Sequence, residues 1–284
     1  MFLALLLLSA APPSGHAGPS GATPPCQASN RGLGIAAPQG ALEVATFDRW
    51  YVLELQGTRA GWMNESRRIK GGRVISDTQF RMSMRRGESS ISISMESSFQ
   101  ETLEGEPISM SSKLAMGAAP VETRYEFGPE SIRAISITQG RRSESTHDLP
   151  KGEWLTPAES SAFVRAMLAS GRGEFKVREM SALEGPIPIT STYSSIESTS
   201  VSAMGRTAPA MRATLTSTST PGVPSIVFLG EDGGVIRSEV RMGAITITMV
   251  RADRELALSK LSPPEIMAST LVEPDQQIGD PRSV

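Results

Sequence analysis

The sequence predicts a mainly β fold, with antiparallel meander sheets packed around one central α-helix. Three observations lead there. Apolar and polar residues alternate with period 2 over most of the chain, most plainly in Ser90–Phe99, where Ile91, Ile93, Met95 and Phe99 share one face. Short turn signals punctuate the alternation: Gly57, Gly71-Gly72, Arg86-Gly87, Gly105-Glu106, Gly128-Pro129 and the run Glu231–Gly234. Against this background one long stretch, Thr156–Ser170, repeats its apolar residues at helical spacing.

Taken in order, Met1–Ala17 opens with an apolar run too short to span a bilayer and ends on small residues, with Gly15 and Ala17 at cleavage-signal spacing. It reads as a secretory signal peptide over 1–17, although no Lys or Arg precedes the run. Residues 18–44 are rich in Gly, Pro, Ala and Ser and read as a disordered linker. Cys26 stands there behind Pro24-Pro25, too far from the apolar run for the acylated cysteine of a lipoprotein.

A β-rich domain is expected over 45–262. Trp50–Gln56 and the segment through Gly61-Trp62 make a hairpin. After Gly71-Gly72 one face carries Val74, Phe80, Met82 and Met84, and the other Arg73, Asp77, Gln79, Arg81 and Arg85. The run through Ile108, Met110 and Leu114, then Val121–Phe127 and Ile132–Thr138, continue a meander of six or seven strands. In the helix over 156–170 Thr156 suits the N-cap, Pro157 the first turn and Glu159 a capping box, with Gly171 as the stop. Phe163, Val164, Met167 and Leu168 form its apolar face. Strands resume at Phe175–Leu183, Ile187–Ile196, Met211–Thr218 and Ile226–Leu229, and Glu231–Gly234 turns into Val235–Val240. Ile245, Ile247 and Met249 alternate with threonines, Asp253–Leu258 suits a short helix, and 263–284 reads as a C-terminal linker. Either two sheets or one long sheet folded over satisfies the pattern.

Composition narrows the function. A formal charge of −2 and a pI near 5.9 exclude the concentrated basic footprint of a nucleic-acid binder. The apolar leader places the protein outside the cytoplasm, in the periplasm or beyond, with no stable membrane span. One cysteine excludes an internal disulfide framework, and His16 and His147 are the only histidines. There is no GxSxG elbow, HExxH, spaced Cys/His set, phosphate loop or dinucleotide fingerprint. His147 beside Asp148 reads as a polar loop pair, and the run Glu231–Gly234 as a turn. Asn64-Glu65-Ser66 matches a glycosylation sequon of a kind that arises by chance. No catalytic, cofactor-binding or metal-binding residue is assigned, and the chain is expected not to be an enzyme. Fourteen methionines, with Met82, Met84, Met95, Met110 and Met116 in neighbouring strands, suit either an adaptable apolar pocket or core beneath the helix.

Two stretches carry a resemblance. Trp50–Ser66 has an aromatic-led strand, a Gly turn and Gly61-Trp62, and Val227–Leu258 has a hairpin ending in Val235-Ile236-Arg237-Ser238-Glu239, followed by the Pro-rich Pro263–Arg282. Together they resemble the exported β-rich region upstream of the catalytic domain in bacterial transglutaminase-like proteins. Such catalytic domains use a Cys-His-Asp triad, which nothing here supplies. The resemblance therefore implies a non-catalytic accessory or interaction domain with a transglutaminase-like partner. The alternative of a different class is a periplasmic carrier that holds lipid or another apolar ligand in a concave sheet face.

Overall fold

A computed structural model describes residues 44–116 and 120–265. The expected leader, the linker up to residue 43 with Cys26 in it, and the stretch after Glu265 lie outside the described residues.

Eight strands precede the first helix: β1 (Phe47–Leu55), β2 (Thr58–Lys70), β3 (Arg73–Arg86), β4 (Ser89–Thr102), β5 (Pro107–Met116), β6 (Pro120–Phe127), β7 (Ser131–Thr138) and β8 (Arg141–Asp148). Helix α1 (Pro157–Ala169) comes next, then β9 (Phe175–Glu179), β10 (Ile189–Ala203), β11 (Arg206–Ser217), β12 (Ser225–Leu229), β13 (Val235–Met242), β14 (Ile245–Ala252) and α2 (Arg254–Leu258). The strands form one antiparallel sheet in the order β8-β7-β6-β5-β4-β3-β2-β1-β14-β13-β12-β11-β10-β9. Of the two arrangements left open by the pattern, the single sheet is the one found. It consists of two meanders zipped together where β1 pairs with β14, with Leu53 against Met249 and Leu55 against Ile247. The outermost strands β8 and β9 are successive in sequence, and the connection between them carries α1.

The turns are where the glycines placed them. Gly71 and Gly72 both take positive φ, +59° and +71°, as a tight hairpin between twisted strands requires. Because side chains alternate across a strand, the register sorts every residue onto one of two faces. One row crosses the first meander from Tyr51 through Met63, Phe80, Met95, Leu114, Val121 and Thr138 to Arg141. This row defines the inner face, and its residues from Tyr51 to Met95 are buried together with Leu53, Met82, Ile93, Ile247 and Met249.

Helix α1 lies on the inner face. Its capping box is complete: the Glu159 N–H donates to Thr156 Oγ1, and Glu159 Oε2 accepts from the Thr156 N–H at 3.0 Å. Val164 and Met167 pack on Phe175 and Val177 of β9, a burial of roughly 1.5–3 kcal/mol per side chain. Leu168 reaches the cluster of Ala213, Leu215, Val227 and Leu229. From the other meander, Arg67 of β2 donates through Nη2 to Pro157 O at 2.7 Å and to Ser161 Oγ at 2.9 Å, and Glu101 of β4 accepts from the Ala158 N–H at 3.1 Å. Inner faces of both meanders thus touch the same helix, so the sheet curls. Helix α2 sits on the opposite face of β1, where Arg254 stacks over Trp50 and Arg59 of β2 donates to Ala257 O at 2.6 Å.

Three segments differ from the expectation. His147 and Asp148, read as a polar loop pair, belong to strand β8 (Arg141–Asp148): an edge strand exposed along its whole length needs no apolar alternation. The strand expected over Phe175–Leu183 stops at Glu179, because Met180 and Ala182 leave β9 to pack on Phe99 and Met110. The linker expected from Pro263 begins attached to the sheet, with Pro264 O accepting from the Arg85 N–H at 2.8 Å and Glu265 bridging Arg85 in parallel.

Candidate functional site

The inner face is covered unevenly. Over β9–β13 it is closed: Leu168 of α1, Tyr193, Ile196 and Val235 pack on a cluster in which Leu215 and Leu229 are 3% and 2% exposed. Over β4–β8 the cover is partial. At the rim formed by the turns after β3 and β7, three inner-face residues stand open: Ile91 at 37%, Met116 at 45% and Val121 at 42%. They continue the buried rows, since Ile91 pairs with Met84, Met116 with Ile93 and Val121 with Leu114. They form an apolar lip.

Next to the lip, the register lines up hydroxyls. Thr78, Ser97, Ser112, Thr123 and Ser136 are cross-strand neighbours on the inner face, each half-buried, and Thr123 Oγ1 and Ser136 Oγ are 3.1 Å apart. The floor beyond this belt is closed. Met180 and Ala182 cover Phe99 and Met110, and the Trp154 ring lies tilted against Phe127, with centroids 6.2 Å apart. Arg141, exposed, ends the row that passes through Val121 and Thr138. An apolar lip, a hydroxyl belt and a terminal guanidinium suit an extended amphiphile: dispersion contacts along the lip, hydrogen bonds from the belt, charge at one end.

The opposite rim is sealed by charge. Glu101 is fully buried, its Oε1 accepts from the α1 N-terminus, and its Oε2 has no hydrogen-bond partner among the described residues. Burial raises the Glu101 carboxyl above its ordinary pKa, and the Thr156, Ala158 and Arg67 groups only partly offset this. Burial also lowers Arg67, to about 10, against the pull of Glu101. Beside them Arg49 binds Asp232 at 2.9 Å, and Arg251 lies 3.6 Å from the same carboxylate. Both guanidiniums crowd Gly234, where a Cβ would stand 2.5 Å from Arg49 Cζ and from Arg251 Nη2. The run Glu231–Gly234 is therefore a turn, as expected, and its last glycine makes room for two arginines.

The remaining sequence candidates fall into place. His147 lies on β8 with Nε2 3.0 Å from Ser145 Oγ, but Asp148 comes directly after it along the strand and so faces the other way. The structure brings a serine and a histidine together and leaves the aspartate apart. Asn64 is buried, its Nδ2 donating to Asp48 Oδ1 at 2.6 Å and to Arg49 O at 3.1 Å, so the atom a glycan would use is engaged. Met82, Met84, Met95 and Met110 are core, and only Met116 of that stripe is open. Among the described residues no three His, Cys, Asp or Glu side chains gather as a metal site, and no helix is long and apolar enough to cross a membrane. A trough of about 530 Å³ on the outer face of β3–β7 is lined by paired charges, among them Lys113 and Glu122 at 2.6 Å. The lip and belt were not singled out by sequence reasoning. Their signal is the register, which aligns one polar gap in each of β3–β7.

A single antiparallel sheet curled around its own connections defines an open, barrel-like β protein. Comparison with solved structures agrees: the chain is similar to a β-barrel-like protein of domain of unknown function DUF1849 from Brucella abortus, with a TM-score of 0.55 and 9% identity, over 75% of this chain and 98% of that one. At that identity the likeness is one of fold. No family model matches the sequence, and no curated protein matches it.

Proposed function

We propose that this chain is an exported, non-catalytic binding protein that takes the apolar chain of a fatty carboxylate, or a similar amphiphile, on the inner face of β4–β8. The observation that carries the reading is the lip of Ile91, Met116 and Val121, three open apolar residues on neighbouring strands that continue a buried core. Branched and thioether side chains offer adaptable, non-directional contact, and Arg141 offers a partner for a carboxylate. In this reading α1 is the fixed central element around which the sheet curls. It occupies the inner face of one meander, which leaves the other free to bind. The test is titration with a dansylated undecanoic acid, monitored by emission. Saturable binding is expected, weakened about tenfold or more by the combined Ile91→Ser, Met116→Ser and Val121→Ser changes. Equal binding by that variant ends the reading.

A second reading keeps the accessory role beside a transglutaminase-like enzyme. It is favoured by one observation: the two stretches that carry the resemblance, distant in sequence, form contiguous strands β1–β2 and β12–β14. They thus offer one continuous surface, on which the Trp50 and Trp62 rings meet at a tilt, with centroids 5.6 Å apart. Calorimetric titration with a purified transglutaminase-like domain tests it, and absence of binding at micromolar concentration ends it.

A further inference from the structure

We propose that β8 is the interface of a symmetric dimer, its free edge pairing antiparallel with β8 of a second copy of this chain about a twofold axis at Ser145. The inference goes beyond the binding reading above and does not depend on it.

The edge is open. Successive residues of a strand send their N–H and C=O groups to alternate sides, so every second residue of β8 points these groups away from β7. Among the described residues they meet no backbone partner, and all 8 residues of the strand are exposed, whichever face they occupy. A further strand therefore has room beside β8. At the other end of the sheet the edge is partly taken. Leu155 bridges Glu179 in parallel, its N–H donating to Arg178 O and its carbonyl accepting from the Met180 N–H. A free strand at one end and an occupied one at the other favour pairing of like with like, which closes as a dimer. Pairing of β8 with β9 of the next copy would instead grow without closing.

The sequence of β8 is complementary to itself. Residues opposite each other in an antiparallel pair share a face, so the twofold axis falls at a residue and not between two. Placed at Ser145, it sets Arg142 against the second copy's Asp148, Ser143 against its His147 and Glu144 against its Thr146. Opposite charges then meet at both ends of the pairing. Glu144, in the middle, is already held by Arg133 at 2.7 Å and by Arg142 at 2.6 Å. An axis at Glu144 would oppose that carboxylate to its own copy, and an axis at Thr146 would oppose it to Asp148; like charges directly across destabilise a pair. An axis at Ser143 matches charges too, but it overlaps only Arg141–Ser145. Charges on an edge strand keep foreign strands away. Their order in β8 admits one partner, the same strand turned around.

A twofold axis normal to the sheet leaves each face on its own side. The inner-face row through Tyr125, Ala134 and Ser145 thus runs on into the Ser145 row of the second copy. The two open inner faces become neighbours on one surface.

The test uses the full chain with Cys26→Ser. Light scattering behind size exclusion, over a concentration series reaching high micromolar, should give twice the mass of one chain. Adding Ser145→Cys should yield a chain-to-chain disulfide under mild oxidation, because residues opposed at the axis have Cα atoms about 4.5–5.5 Å apart. Thr138→Cys, beyond the overlap, should yield little. Arg142→Asp and Asp148→Arg each place like charges across the pair and should weaken the dimer about tenfold or more, and the two together should restore it. The mass of a single chain throughout, with no Ser145→Cys bond above the Thr138→Cys control, overturns the inference. A dimer indifferent to both charge changes overturns it as well, by assigning association to another surface. So does weakening in the single variants that the double variant fails to reverse.

Discussion

The β9–β13 meander and the β4–β8 meander are written in the same alternating pattern, and they differ in what lies over the inner face. In the first, Leu215, Val227 and Leu229 are buried beneath Leu168 of α1, Tyr193, Ile196 and Val235. In the second, equally apolar Met116 and Val121 meet solvent. Alternation decides which side chains point inward. It does not decide whether anything is there to cover them, which is a property of the connections. Here the connections after β8 and β9 carry Trp154, α1, Met180 and Ala182 to one rim and to the floor, and leave the other rim open.

The contrast can be broken from the covered side first. Leu229→Ala should cost about 2–5 kcal/mol in chemical denaturation, the range for removing a buried leucine, with a loss below 1 kcal/mol arguing that α1 is a loose cover. Arg67→Ala should cost about 3 kcal/mol. It removes charged hydrogen bonds to Ser76, Pro157 and Ser161 and leaves Glu101 buried without its nearest cation. Stability equal to the parent would detach α1 from the first meander.

A smaller effect is expected from pH. Burial holds the Glu101 carboxyl above its unfolded pKa of about 4.3, so the folded state binds the proton more tightly. Its contribution is then fully present below that value and is lost as pH rises through the folded pKa. Glu101→Gln keeps an acceptor for Ala158 N–H and has nothing to titrate. The melting temperature of the parent relative to this variant should therefore fall as pH rises above about 4.3, and a difference that is constant or rises would contradict the assignment. Smallest of all, Met116→Ala should change stability by no more than about 0.5 kcal/mol, as for an exposed residue, while weakening the fatty-acid probe.

Much of the fold was legible. The faces of β3, the turn at Gly71-Gly72 and the capping box of α1 all come from local rules, because each is decided within a few residues of chain. Strand β8 was not legible, since an edge strand with both faces solvated carries no apolar period and Arg141–Asp148 is polar throughout. The end of β9 was hidden for the opposite reason. Met180 and Ala182 are apolar enough to continue the strand, but their partners Phe99 and Met110 are about seventy to eighty residues away in sequence. The lip and belt needed the same long-range information. No single strand reveals that Ser97, Ser112, Thr123 and Ser136 stand in one row until their pairings are known.

The inner face of β4–β8 is the proposed binding surface. Hydrogen exchange read by mass spectrometry, with and without the dansylated fatty acid, tests it in one experiment. Added protection should appear in peptides covering Ser89–Thr102, Pro107–Met116 and Pro120–Thr138, with Phe175–Leu229 unchanged. Protection confined to Phe175–Leu229, or none at a saturating concentration of the acid, would contradict it.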